Sequence, residues 1–195
     1  MVKIQIIVGS TRPGRVGKGV ADWVYEQAQE REDFEVELVD IADYDLPLLD
    51  EPAPAMMGQY TKAHTKKWSA KIGKADGFIF VTPEYNYGIP AALKNAIDFL
   101  YAEWNHKALA FVGYGVSGGV RAVEQLRGVA AQMRLADVQQ QLMLYLARDF
   151  KNYNTFEPTA AHAAQLNKVL DQLVVWTKAM KTVREEADVL HEAAV

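Results

Sequence analysis

Apolar positions arrive in short blocks separated by longer periodic stretches. Ile4, Ile6, Ile7 and Val8 crowd the segment from Lys3 to Val8, which reads as a buried strand ending at Gly9 and Ser10. From Val16 to Gln29 the spacing changes, and Val20, Trp23, Val24 and Gln27 fall on one side of a helix. Phe34 to Val39 alternates apolar and polar residues, as an edge strand does. The Pro-bearing stretch Ile41 to Pro54 reads as a loop, and Met57 to Lys74 as a helix.

The alternation continues to the end. Strands are predicted at Phe78 to Val81, Ala108 to Val112 and Val138 to Leu142, the last despite its three glutamines. Helices are predicted at Pro90 to Leu100, Gly119 to Met133 and Ala160 to Lys181, with a polar tail after Lys181 that frays. Pro90 opens its helix at the first turn, where a missing N–H does no harm. Strands separated by helices in this way build a parallel sheet covered on both faces through right-handed crossovers. The expectation is one domain, residues 1–195, with a doubly wound sheet.

Composition narrows the class. The chain has 195 residues, 50% hydrophobic and 24% charged, which suits an ordinary globular domain and disfavours disordered and fibrous classes. Its net charge is -4, and basic residues are scattered except at Arg12/Arg15 and Lys62 to Lys74, so neither nucleic acid nor an anionic membrane is implied. The absence of cysteine removes disulfides, thiolate nucleophiles and thiolate metal sites. The apolar segment after Met1 is too short for a secretory signal core, and no run approaches the roughly 18 apolar residues of a membrane span. A cytoplasmic protein is the simplest reading.

Three loops follow predicted strands and carry residues that packing does not need. In an open α/β sheet, ligands bind where such loops leave the carboxyl ends of the strands. The first, Gly9-Ser10-Thr11-Arg12-Pro13-Gly14-Arg15, offers hydroxyls and two arginines just before a helix N-terminus. A phosphate there meets free backbone N–H groups, the positive end of the helix dipole and two guanidinium forks. The spacing Gly14-x-x-Gly17-x-Gly19 is neither a Lys-bearing P-loop nor G-x-G-x-x-G, which disfavours an NTPase and a standard dinucleotide fingerprint. The bland alternative is a surface turn with solvated arginines.

The second loop, Pro83-Glu84-Tyr85-Asn86-Tyr87-Gly88-Ile89-Pro90, places aromatic and amide groups between a strand and a helix, where they can line a flat heterocycle. A stiff structural turn is the competing reading, strongest for Tyr87, and Glu84 either orients the loop or touches ligand. The third loop, Gly113-Tyr114-Gly115-Val116-Ser117-Gly118-Gly119, can form a small anion-receptive nest, apt for the charge that builds on a reduced flavin. A glycine-rich helix entry without a ligand is the alternative.

These three loops together resemble the NADPH-dependent FMN reductase family, a branch of the flavodoxin-like fold. The similarity runs from about Lys3 to Leu142, and the second loop with its Gly-Ile-Pro-Ala-x-Leu-Lys-Asn-x-Ile-Asp continuation is the most specific part. The resemblance implies a three-layer sandwich around a five-stranded parallel sheet of order 2-1-3-4-5. It also implies tightly but non-covalently bound FMN, NADPH or NADH as hydride donor, and a homodimer or homotetramer.

By that resemblance Ser10, Arg12 and Arg15 hold the FMN phosphate with backbone N–H groups around Val16 and Gly17. Pro83, Glu84, Tyr85 and Asn86 line the ring, and Gly115, Ser117, Gly118 and Gly119 its opposite edge. Many members have serine or asparagine where this chain has Gly17 or Lys18, so contacts there fall to backbone or lysine. The implied reaction is ping-pong: hydride passes to the flavin ring nitrogen N5, and a small acceptor such as a quinone or free flavin then replaces the donor. The flavin carries the chemistry and no side chain is an essential nucleophile or base. A flavodoxin-type electron carrier is the rival, disfavoured by the length and mild acidity of the chain.

Other features read as structural. His64, His106, His162 and His191 lack metal-ligand spacing. Lys62, Lys66, Lys67, Lys71 and Lys74 form the solvated face of an amphipathic helix. Trp104, with Tyr101 and Phe99, is read as an aromatic dimer contact near the site.

Overall fold

The computed structural model describes residues 1–192, with side chains through 186. Five parallel strands form the sheet: β1 (Val2–Val8), β2 (Phe34–Asp40), β3 (Gly77–Pro83), β4 (Ala108–Gly115) and β5 (Ala136–Tyr145). Their order is β2-β1-β3-β4-β5, as expected. Residues of β3 and β4 are buried throughout, which is why these central strands read as near-continuous apolar runs.

Helices cover both faces. α1 (Gly17–Gln29) and the long α6 (Ala160–Glu192) lie on one side, where Val20, Val24, Leu166, Leu170 and Leu173 pack against Ile4, Ile6, Ile79 and Val112. α2 (Ala63–Ile72), α3 (Ala91–Asp98) and α4 (Val120–Gln132) cover the other, over Ile7, Phe78, Phe80 and Phe111. Alternate residues of each strand serve opposite cores, the period-2 consequence of the pleat.

Several expectations are corrected in detail. The helix predicted over Met57 to Lys74 begins only at Ala63, because Gly58 at φ 64 ends a short 3-10 turn Ala55–Met57. The Glu51 carboxylate then accepts the Thr61 and Lys62 N–H groups at the entry to α2. β5 extends well beyond Val138 to Leu142, since an edge strand exposed on one side tolerates Gln139 and its neighbours. The final helix continues past Lys181 to Glu192, and the remaining tail lies outside the described residues.

Trp104 is not a surface contact. It is 1% exposed, its ring meets Phe78 and Phe80 at 5.0 and 6.0 Å, and its indole N–H donates to Ile97 at 3.2 Å. Phe99 is equally buried, so this cluster is core, and only Tyr101 is partly exposed.

Beyond β5 the chain forms a short helix α5 (Leu146–Asp149) and a hairpin of β6 (Phe150–Lys151) and β7 (Thr155–Phe156), none of it expected. Phe156 packs edge-on to Trp23 at 5.2 Å and beside Phe150 at 5.3 Å, which anchors the hairpin to the α1 side of the core. Among the described residues no helix is long and apolar enough to cross a membrane, and no group of acidic and histidine side chains could hold a metal ion.

Candidate functional site

All three loops leave the same end of the sheet, but they contribute unequally. After β1, Arg12-Pro13-Gly14-Arg15 folds as a turn closed by Arg15 N–H donating to the Arg12 carbonyl at 3.1 Å. Gly14 at φ 70 supplies the left-handed residue after proline. α1 starts two residues later with no side-chain cap and no acidic residue in its first turn. Its first N–H groups therefore face the loop as free donors, the physical requirement for an anion site.

The two arginines separate in role. Arg15 turns to Asp40 at the end of β2, with its guanidinium 2.5 Å from the carboxylate and its Nε buried without a partner. The parallel pairing of Val8 with Asp40 brings that carboxylate beside the loop. Arg12 is exposed, and its guanidinium lies 5.8 Å from the Tyr85 ring centre. Arg12 is thus open to an anion, whereas Arg15 is largely neutralised.

The second loop is a tight hairpin turn. Tyr85 and Gly88 exchange backbone hydrogen bonds of 3.1 and 3.0 Å around Asn86 and Tyr87, both at positive φ, 48 and 74. Asn86 and Tyr87 sit exposed at the tip, while Tyr85 folds back so that its hydroxyl lies 2.8 Å from the buried Ser10 hydroxyl. Tyr87 is held from the other side, by the Arg121 guanidinium 4.0 Å over its ring.

Glu84 lines the cleft and also orients the second loop. Its carboxylate accepts the Arg121 backbone N–H at 3.0 Å and the Arg121 guanidinium at 2.7 Å, and so tethers the loop to the first turn of α4.

The third loop is shorter than expected because Gly113 to Gly115 belong to β4. Gly118 and Gly119, at φ 68 and 71, are buried behind the site, and a Cβ on Gly119 would stand 2.6 Å from the Tyr114 nitrogen. Gly118 N–H donates back to the Gly115 carbonyl at 3.2 Å, and Ser117 lies outside the cleft.

One cleft of about 80 Å³ collects Arg12, Val16, Pro83, Glu84, Tyr85 and Gly115. Three further walls were missed by sequence reasoning: Tyr114, Leu146 and Tyr153. Tyr114 lies inside the third motif but points to the α1 face, and a Cβ on Gly17 would fall 2.2 Å from its hydroxyl, so any larger residue at 17 must displace the Tyr114 ring. That hydroxyl is buried without a partner, and burial pushes its pKa up, keeping it neutral. Tyr153 stands at the tip of the β6–β7 hairpin.

The base of that hairpin is tied down. Asp149 accepts the Tyr145 N–H at 2.7 Å and the Arg148 guanidinium at 2.7 Å, and His162 approaches it at 3.3 Å. Burial alone would raise the Asp149 carboxyl, but these donors hold it below the usual carboxylate range. His162 Nδ1 accepts the Thr159 N–H at 3.1 Å, which leaves Nε2 to carry the proton toward Asp149. The side chain of His191 lies outside the described residues.

The chemistry of the donors fits a phosphorylated planar cofactor. An uncapped helix and a free arginine suit a phosphate, and Pro83, Tyr85 and Tyr114 offer flat apolar walls beside it. Fold and site together define a flavodoxin-like protein with a cleft at the carboxyl edge of its sheet whose donors suit a phosphate.

Comparison with known proteins specifies the class. Residues 2–149 match the NADPH-dependent FMN reductase family, and the chain belongs to it. It is 41% identical over 175 residues to an NAD(P)H-dependent FMN reductase of Schizosaccharomyces pombe, covering 87% of this chain and 88% of that one. It is 34% identical over 140 residues to an NAD(P)H:quinone oxidoreductase of Solanum tuberosum, covering 69% and 70%. Among solved structures it is similar to a flavoenzyme NAD(P)H:(acceptor) oxidoreductase of Paracoccus denitrificans, with TM-score 0.71 and 21% identity over 92% of this chain and 99% of that one.

Proposed function

We propose that the chain is an FMN-dependent oxidoreductase that transfers hydride from NAD(P)H to quinones or similar small acceptors in two alternating half-reactions. The observation that carries this is the convergence on one cleft of the uncapped start of α1, Arg12 and Tyr85, the last held in place by the buried Ser10. When bound, FMN supplies a ring that accepts hydride from the reduced nicotinamide and yields it to the acceptor. Overall, NAD(P)H, a quinone and a proton give NAD(P)+ and the hydroquinone, which balances.

The protein's part is positioning. Arg12 and the first N–H groups of α1 hold the phosphate, with Ser10 and the backbone at Val16 and Gly17 completing the loop. Pro83, Tyr85 and Tyr114 form the wall for the ring, while Glu84 and Arg121 fix the angle of the loop. Gly115 brings backbone close to the ring edge. No side chain is needed as nucleophile or base, and donor and acceptor use the same face of the ring in turn.

Homo-oligomerisation is part of this reading. Tyr87, Val116, Leu48, Met56 and Met57 are apolar and more than half exposed, which supports a protein–protein contact by a second copy.

The test is an absorbance spectrum after FMN addition and desalting, followed by anaerobic NADPH and then NADH. Retained flavin bands that bleach with either donor, and parallel double-reciprocal plots with a quinone, are the expected results. Flavin retained without bleaching points to an electron carrier, and no retained flavin overturns the reading.

A further inference from the structure

The larger opening at this end of the sheet is a different one. A cleft of about 320 Å³ lies beside the first loop, at the lower end of the roughly 300–1,000 Å³ of small-molecule sites. Thr11 lines this cleft and Arg12 the smaller one, so the turn after β1 is the ridge between two neighbouring openings. Ile41 and Ala42, from the 3-10 turn after β2, meet Ala92 and Ala96, one turn apart on α3. Ala42 on one side and Ala92 and Ala96 on the other leave space, and Ile41 and Leu46 give it apolar walls suited to a flat ring.

The rim is polar and its backbone is fixed. Asn95 donates its amide to the Pro47 carbonyl at 2.7 Å and accepts the Leu49 N–H at 3.0 Å, which pins the loop after β2 against α3. Asp45 caps the 3-10 turn at φ 45 and presents an exposed carboxylate to the cleft. A carboxylate past the end of β2 is suited to accept hydrogen bonds from a vicinal ribose diol, and it repels a phosphate at the same place.

A dinucleotide donor carries two rings joined by a diphosphate. If its nicotinamide reaches the tyrosine cleft, the linker crosses the ridge at Thr11 and its other ring arrives at the second cleft. We propose that the cleft between Thr11, Asp45 and Ala92 binds the adenosine half of the donor, with Asp45 holding the ribose hydroxyls and favouring NADH over NADPH. This rests on the function proposed above and adds the donor subsite and its selectivity.

The experiment titrates the FMN-loaded protein, checked first by its spectrum, with ADP-ribose and with 2′-phospho-ADP-ribose by calorimetry. The wild type binds ADP-ribose about tenfold or more tightly than the phosphorylated form. Asp45→Asn, which tolerates a positive φ, brings the two within a few-fold and leaves the FMN dissociation constant unchanged. Ala92→Leu, filling the slot with a good helix former, weakens both about tenfold. Unaltered affinities in both variants, or no binding of ADP-ribose by wild type that NADH still bleaches, overturn the subsite and leave the reductase reading standing. Failure of the wild type to retain FMN overturns that reading instead, and is seen before any nucleotide is added.

Discussion

The Ser10 hydroxyl lies 2.8 Å from the Tyr85 hydroxyl, a bond that spans 75 residues of sequence and joins the first loop to the second. Ser10 is 1% exposed and also accepts the Arg12 N–H at 3.3 Å, so the orientation of the Tyr85 ring and that of the turn are set together. Tyr85→Phe and Ser10→Ala each break the link. Each is expected to weaken FMN binding, and the double variant to lose less than the sum. A coupling of about 0.5–1.5 kcal/mol in the FMN dissociation constants is expected. Strict additivity would show that the bond does not organise the site.

Arg12 and Arg15 differ in the same way that their partners do. Arg12→Ala should raise the FMN dissociation constant about tenfold to a hundredfold, the cost of a charge-assisted contact of roughly 1.5–3 kcal/mol, with the apo melting temperature unchanged. Arg15→Ala strands Asp40, whose side chain is 10% exposed, and should lower apo stability by about 1–3 kcal/mol in urea unfolding. If Arg15→Ala proves the more damaging to FMN affinity at unchanged stability, the assignment of the two arginines is reversed.

The separation of the arginines shows where sequence reading ends. The strand order came only from the family resemblance, whereas the five strands and the three loops were legible because buried parallel strands are continuous apolar runs, and because tyrosines and arginines clustered beyond a strand end are more than packing requires. The partner of Arg15 was not, since Asp40 reaches it only through the register that sets Val8 beside Asp40. Trp104 looked like surface because its neighbours Phe78 and Phe80 come from a strand far back in the chain. The β6–β7 hairpin left no periodic signal, as its strands are two residues each. Its one readable cue was the aromatic spacing of Phe150, Tyr153 and Phe156.

Tyr153 lines the cleft from a tip where it and Asn152 hold φ of 60 and 51. Phe150 and Phe156 keep the hairpin on the core, so truncation at the tip leaves the base intact. Tyr153→Ala should speed FMN release several-fold in stopped-flow flavin fluorescence, while the melting temperature of the apoprotein holds. His162→Ala, which removes a partner of Asp149 at the hairpin base, should speed release as well but also lower that melting temperature. Equal release rates in all three proteins would remove Tyr153 from the site.

Lys107 gives the fold a pH dependence of its own, at the end of the sheet remote from the loops. Its ammonium is buried, donates to the Ile72 and Gly73 carbonyls at 3.1 and 3.3 Å, and so caps the end of α2. Burial, reinforced by the positive charge of Arg184, pushes its pKa down from 10.5 to about 8. Below pH 8 both folded and unfolded chains carry the proton and the cost of burying it is fully present. Between pH 8 and 10.5 the unfolded chain binds more protons, so stability from this group rises with pH across that window. Lys107→Met lacks the titration. The stability of the wild type minus that of the variant, measured by urea unfolding from pH 7 to pH 10, should therefore climb by on the order of 1–3 kcal/mol. A flat difference would mean that Lys107 keeps its ordinary pKa in the folded protein.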